Sequence, residues 1–213
     1  MMMENKKSGG FNRKTLKAIQ YYPSPNEIYD LLMQSEGWPY AEKKDFYLAR
    51  DRALASLLYL GALRISEAIG IRKSQFIEKQ DHVLIRAIKL SKSKVKGKPR
   101  RIEYRDVRLP LTGEREQLTM LILDYARLVK EDRLFPFSLA KDKNGQTVGC
   151  KRAWQVVKAL LPQFTAHWLR AFGEDFLYSE WSHDILAVAD YVKVDARTLQ
   201  EYLRKRHEKY PAV

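Results

Sequence analysis

From about Ala41 to Gly61 the apolar residues Phe46, Leu48, Ala53, Leu54, Leu57, Leu58 and Leu60 recur at helical spacing, which predicts a long buried helix leading up to Gly61. A helix of this kind needs other apolar elements around it. Ser24-Pro25-Asn26-Glu27 offers a capping serine, a proline at the first helical position and an acid at the third, so a helix starts there. It runs through Ile28, Leu31, Leu32 and Met33 until Gly37-Trp38-Pro39 ends it. Another helix is expected after Arg64, capped near Ile65 or Ser66. Thr112 precedes a helix through Leu118, Met120, Leu121, Leu123 and Ala126. Lys141 to Gly149 reads as a polar loop, and further helices are expected over Lys151 to Leu161, Ala166 to Tyr178, Ile185 to Tyr191 and Ala196 to Lys205.

Between His82 and Leu111 the periodicity changes. Val83-Leu84-Ile85 and the run from Ile102 to Val107 read as two strands around a Lys-rich connection at Gly97-Lys98-Pro99, a basic β-hairpin. The expected fold is therefore mostly α with a small antiparallel β-hairpin or sheet, an α+β arrangement. No internal repeat or long low-complexity tract interrupts it.

Charge narrows the class of partner. The 213 residues hold 39 Lys and Arg against 26 Asp and Glu, and a net charge of +13 favours a polyanion such as DNA or RNA through counterion release. The plainer alternative is that surplus lysine keeps the protein soluble. Cys150 is the only cysteine, which excludes an intramolecular disulfide and a Cys-rich metal site and fits a reducing, intracellular compartment. Met1 to Lys14 carries charges and a Gly-Gly pair but no apolar stretch, so it reads as a basic arm rather than a leader or membrane anchor. Gly97-Lys98 lacks the spaced glycine of a phosphate-binding loop, and there is no His-Glu-x-x-His or other clustered metal set. No cofactor, metal or membrane is expected.

Three strings carry chemistry. In Gly61-Ala62-Leu63-Arg64-Ile65-Ser66-Glu67-Ala68-Ile69-Gly70-Ile71 an arginine interrupts an apolar helix junction. On a buried side it needs an anion; otherwise it pairs with Glu67 one turn on. In His167-Trp168-Leu169-Arg170 the three-residue step puts histidine and arginine on one helical face, with Leu169 and Phe172 turned to the core. One phosphate can touch both, although a solvated helix face produces the same pattern. Thr198 to Lys205 places Tyr202 in a basic helix, where a core or DNA-stacking tyrosine is the bland alternative.

Taken in order, Leu-Arg-Ile-Ser-Glu, a basic hairpin, His-x-x-Arg and a late tyrosine resemble the catalytic domain of the tyrosine recombinases and integrases. The interval from His167 to Tyr202 matches the family's typical spacing, and the similarity runs from roughly Arg50 to Lys205. It implies residues 1–45 as a basic N-terminal arm and short helix, and residues 46–213 as a catalytic domain. It further implies Arg64 and Arg170 as paired phosphate-binding arginines, Glu67 as their acidic companion, His167 as the motif histidine and Tyr202 as nucleophile. The family's strand-end lysine falls best on Lys92, in Ser91-Lys92-Ser93, with Lys94 next; Lys94, Lys96, Lys98, Arg100 and Arg101 are then DNA contacts.

The match has two departures. Lys193 stands where the family usually has His or Trp before the tyrosine, and can still donate to a phosphate oxygen; Ala171 follows Arg170 where many relatives have histidine. The implied activity is cleavage and rejoining of double-stranded DNA without ATP or metal, by copies that self-associate as a tetramer on DNA, within the cytoplasm or nucleoid. A type IB topoisomerase and a non-catalytic DNA-binding relative are the alternatives. Relatives usually carry a separate helical DNA-binding domain before the catalytic one, and residues 1–45 are too few for it, so a compact recombinase or a fragment of a longer protein is expected.

Overall fold

The computed structural model describes residues 22–90, 102–140, 143 and 147–207, apart from the side chains at 202 and 204–207. The expected basic arm and the Lys-rich turn of the hairpin lie outside the described residues. In chain order the helices are α1 (Pro25–Gln34), α2 (Lys44–Leu60), α3 (Ile65–Ala68), α4 (Glu116–Leu128), α5 (Val148–Leu160), α6 (Ala166–Glu180), α7 (Ile185–Val192) and α8 (Ala196–His207). Between α3 and α4 lie the strands β1 (Phe76–Glu78), β2 (His82–Lys89) and β3 (Tyr104–Pro110).

α1 begins as its sequence dictates. The Ser24 hydroxyl accepts from the Glu27 N–H, and the Glu27 carboxylate accepts from the Ser24 N–H at 2.7 Å, with Pro25 opening the helix. Ile28 and Leu32 then enter the same core as α2. α2 is buried on all sides over its last three turns: Ala53, Leu54, Ala55, Ser56, Leu57 and Leu58 have no exposed surface. α4, α5 and α6 pack around it.

Gly173 lets α6 approach closely, because a Cβ there would collide with the Tyr59 carbonyl in the last turn of α2. The approach brings Arg170, one turn earlier on α6, toward the segment that comes after α2. That segment reverses at Gly61-Ala62, where Ala62 adopts a left-handed conformation with φ 45°.

The helix after Arg64 is a single turn, and neither Ile65 nor Ser66 caps it. Arg64 itself is the capping position, and its backbone N–H is satisfied by Glu67 reaching back from the third helical residue at 2.9 Å. In place of the two expected strands the described residues form three, joined antiparallel in the order β1-β2-β3. β1 pairs Phe76 with Ile85, and β2 pairs Val83 with Leu109 and Ile85 with Val107. A bulge between Ile85 and Ile88 leaves Ala87 at φ 52°, its N–H donating to the Asp106 carboxylate at 2.8 Å. β3 starts at Tyr104 rather than Ile102 and alternates strictly, with Arg105, Val107 and Leu109 facing inward.

Apolar residues gather in two cores. The larger surrounds α2 and takes in Trp168, Leu169 and Phe172 from α6. The smaller unites Leu177 of α6, Val188, Ala189 and Val192 of α7, and Leu199 and Leu203 of α8, and among the described residues its one buried member from earlier in the chain is Ala62. Asp184 and Asp195 cap α7 and α8, their carboxylates accepting from backbone N–H groups at 2.9–3.2 Å.

Candidate active site

Arg64 leaves the α2–α3 turn with its guanidinium tied to the residue that also holds its backbone. Nη1 donates to Glu67 Oε1 at 3.0 Å while the other carboxylate oxygen takes the Arg64 N–H. The Glu67 side chain is buried and that of Arg64 is 39% exposed, so the carboxylate is an internal anchor and the guanidinium its outward arm. The ion pair expected as one alternative from sequence is present. It is anchored internally rather than lying wholly on the surface.

Arg170 is fixed in the same manner on α6. Its Nε donates to Glu174 Oε1 at 2.8 Å, one turn along the helix, and both side chains are buried. His167, at the start of α6, is exposed, while Leu169 and Phe172 are buried in the main core as their spacing requires. Sequence reasoning did not single out Glu174, although its four-residue step from Arg170 is visible in the sequence.

A third arginine enters from β3. Arg105 is 5% exposed at an inward strand position, and its guanidinium donates to the carbonyls of Gly61 at 2.5 Å, Ala62 at 3.1 Å and Tyr191 at 3.1 Å. It also lies 5.4 Å from the centre of the Tyr191 ring. Burial pulls its guanidinium below the ordinary arginine value, and the nearby Tyr191, Glu67 and Glu174 oppose that while Arg170 adds to it.

Lys193 closes α7 in a left-handed conformation, φ 53° and ψ 49°, with Nζ donating to Asp190 Oδ1 at 2.7 Å. Arg64, Arg170 and Lys193 therefore each have a carboxylate one helical turn away. Tyr202 lies on α8, between Leu199 and Leu203 of the smaller core; its side chain is outside what the structure describes. Lys92, Lys94, Lys96, Lys98, Arg100 and Arg101 also lie outside the described residues, in the connection between β2 and β3.

A guanidinium held in a fixed orientation can donate to phosphodiester oxygens and balance charge that accumulates there. Among the described residues no three His, Cys, Asp or Glu side chains are grouped to hold a metal ion. No described helix is long and apolar enough to cross a membrane.

The fold has solved counterparts. It is similar to the XerH site-specific recombinase bound to its difH substrate in a pre-cleavage complex, and to the same recombinase on a palindromic difH substrate in a post-cleavage complex. Each comparison has a TM-score of 0.57 at 20% sequence identity and covers 88% of this chain. It covers 51% of the recombinase, so this chain spans about half the length of the proteins it matches. No protein-family model matches the chain, and no curated protein sequence does.

Proposed function

We propose that this chain is a tyrosine recombinase or integrase that cleaves and rejoins double-stranded DNA through a 3′-phosphotyrosyl intermediate. The observation that carries the reading is the pair Arg64 and Arg170, each fixed by a buried glutamate on its own helix, in a fold shared with a DNA-bound site-specific recombinase. The order of the sequence motifs and the net charge of +13 support the same reading.

In this mechanism Tyr202 Oη attacks the phosphorus, forming a new P–O bond as the bond to the 5′ oxygen breaks. Arg64 and Arg170 stabilise charge on the non-bridging oxygens, and they favour the phenolate of a side chain whose ordinary pKa is about 10. His167 takes the phenolic proton or holds the phosphate. The departing 5′ oxygen takes a proton from Lys92, or from Lys94 if that lysine occupies the position. Lys193 donates to a phosphate oxygen once it exchanges Asp190 for the DNA. The remaining hairpin cations, Lys96, Lys98, Arg100 and Arg101, contact the backbone.

The phosphotyrosyl link conserves the energy of the broken bond, so a second 5′ hydroxyl reseals the strand by the reverse reaction without ATP. Joining two duplexes requires several copies, and a tetramer on DNA is the assembly that the reading implies.

Covalent trapping tests the proposal. A nicked duplex that loses its short 5′ fragment on cleavage should leave a denaturant-resistant protein–DNA adduct with the full chain and with Tyr210→Phe, and none with Tyr202→Phe. DNA binding without any adduct would make the protein a binding module. An adduct in Tyr202→Phe would remove the nucleophile assignment.

A further inference from the structure

We infer that Arg105 is a positioning residue for strand cleavage, tying the turn that presents Arg64 to the helix end that presents Lys193; the inference rests on the function proposed above. The inward positions of β3 next to it, Val107 and Leu109, are aliphatic and fully buried. A guanidinium in that row gives up nearly all its water and needs compensation from fixed acceptors.

The acceptors it finds share one origin. Gly61 and Ala62 come directly after the last turn of α2, and Tyr191 is the penultimate residue of α7. The last carbonyls of a helix have no partner within it and carry the negative end of its dipole. One buried cation therefore closes two helix C-termini at once.

The residues beyond each terminus give the contact its meaning. Arg64 comes three residues after Gly61, and Lys193 comes two after Tyr191, with α8 and Tyr202 beyond it. The ring of Tyr191 covers the guanidinium on one side, packs edge-on against Trp181 at 5.2 Å, and its hydroxyl accepts from the Arg108 N–H at 3.2 Å. The apolar link between the same parts is slight, since among the described residues Ala62 is the one buried residue before α6 in the smaller core. Arg105 supplies a polar link across the same seam, through the Gly61 and Ala62 carbonyls on one side and the Tyr191 carbonyl on the other.

The test uses the full chain and single-turnover cleavage of the nicked duplex at saturating DNA, so that affinity and chemistry are read apart. Arg105→Met, which fills the inward position, should fold and bind DNA with a Kd within about threefold of wild type. Its cleavage rate should fall by about 100-fold, the scale of a misplacement near 1 Å. Arg105→Lys, with one short-range cation in place of a fork, should recover only part of the loss.

The effect should also be non-additive: Arg105→Met combined with Arg64→Ala should cleave faster than the product of the two separate losses, because the part of the Arg105 effect that acts through Arg64 is already gone. Amide hydrogen exchange at Ala62 and Lys193 should quicken in Arg105→Met. A wild-type chain that forms no adduct overturns the proposed function and this inference with it. A wild-type adduct with an undiminished rate in Arg105→Met, or additive losses in the double variant, overturns the inference alone. So does failure of both single variants to fold, since the residue would then serve only the core.

Discussion

Arg170 and Glu174 face each other one turn apart on α6, Nε 2.8 Å from Oε1, with both side chains almost wholly removed from water. Removing one partner strands the other. Glu174→Ala should cost about 3 kcal/mol, because the guanidinium stays buried without its counter-charge. For a chain of this size that lowers Tm by roughly 10 °C. Replacing both, as Arg170→Met with Glu174→Leu, should return most of the stability while abolishing cleavage. Thermal melts and adduct formation on the same two proteins check this; a stable double variant that still cleaves would remove Arg170 from the chemistry.

Arg64 makes a different prediction, because its side chain is partly exposed. Arg64→Ala should cost less stability than Glu174→Ala, since the guanidinium is partly exposed and the buried Glu67 carboxylate keeps the backbone N–H of residue 64 as a donor. It should lower the rate at saturating DNA by about 100-fold or more and raise Kd by no more than about threefold, because one phosphate contact among many adds little to binding. Equal losses of rate and affinity would make Arg64 an ordinary DNA contact.

Much of this arrangement is legible in the sequence. The serine–proline–glutamate start of α1 and the apolar spacing of α2 are local signals, and local interactions decide them. β1 is not, because three residues are too few to show a period, and its pairing with Ile85 and Val83 is a contact across sequence. The Ser66 cap is absent because Glu67 satisfies the helix start from inside the helix.

Arg105 reads in the sequence as one more cation in a basic hairpin. Its burial is written in the two-residue alternation with Val107 and Leu109, a signal set against the ordinary expectation that arginine faces water. Glu174 is equally visible as a spacing and carries no meaning until Arg170 is known to be buried. The hairpin lysines can be ranked by resemblance alone.

The buried Tyr59 and Tyr125 and the half-buried Tyr40 weaken the fold at alkaline pH. Burial raises the phenols of Tyr40, Tyr59 and Tyr125 above their ordinary value of 10.0, and for Tyr40 the adjoining Asp51 carboxylate raises it further. A raised folded-state value means that the unfolded chain loses these protons first. Their stabilising contribution is complete below pH 10 and is lost as pH climbs beyond it. Absorbance at alkaline pH should show Tyr40, Tyr59 and Tyr125 ionising later than an exposed tyrosine does.

The same three residues separate by substitution. Tyr59 donates its hydroxyl to the Pro23 carbonyl at 3.2 Å, so Tyr59→Phe should cost about 1 kcal/mol. The buried Tyr125 hydroxyl has no hydrogen-bond partner among the described residues, so Tyr125→Phe should be neutral or stabilising and should soften the alkaline decline. Denaturant midpoints at pH 7 and pH 10.5 decide both.

Leaving-group chemistry separates the hairpin lysines. A thiolate leaves readily without a general acid, so Lys92→Ala should cleave ordinary DNA slowly and recover most of its rate on a substrate with sulfur at the bridging 5′ position. Arg64→Ala should remain slow on both, since phosphate charge must still be balanced. Rescue confined to Lys94→Ala would transfer the role to Lys94; rescue in no lysine variant would remove it from the hairpin.

The smaller core has a consequence for how the chain comes apart. Among the described residues its buried members lie between Leu177 and Leu203, with Ala62 alone joining from the other side of the fold. Such a unit can open by itself, at a free energy below that of global unfolding, while the helices around α2 stay folded. Local opening would therefore release α8, which carries Tyr202, and leave the Arg64 and Arg170 pairs in place. Amide hydrogen exchange across α7 and α8 should therefore outpace exchange across α2, and substitutions at Val188, Leu199 or Leu203 should loosen first the helix that carries Tyr202.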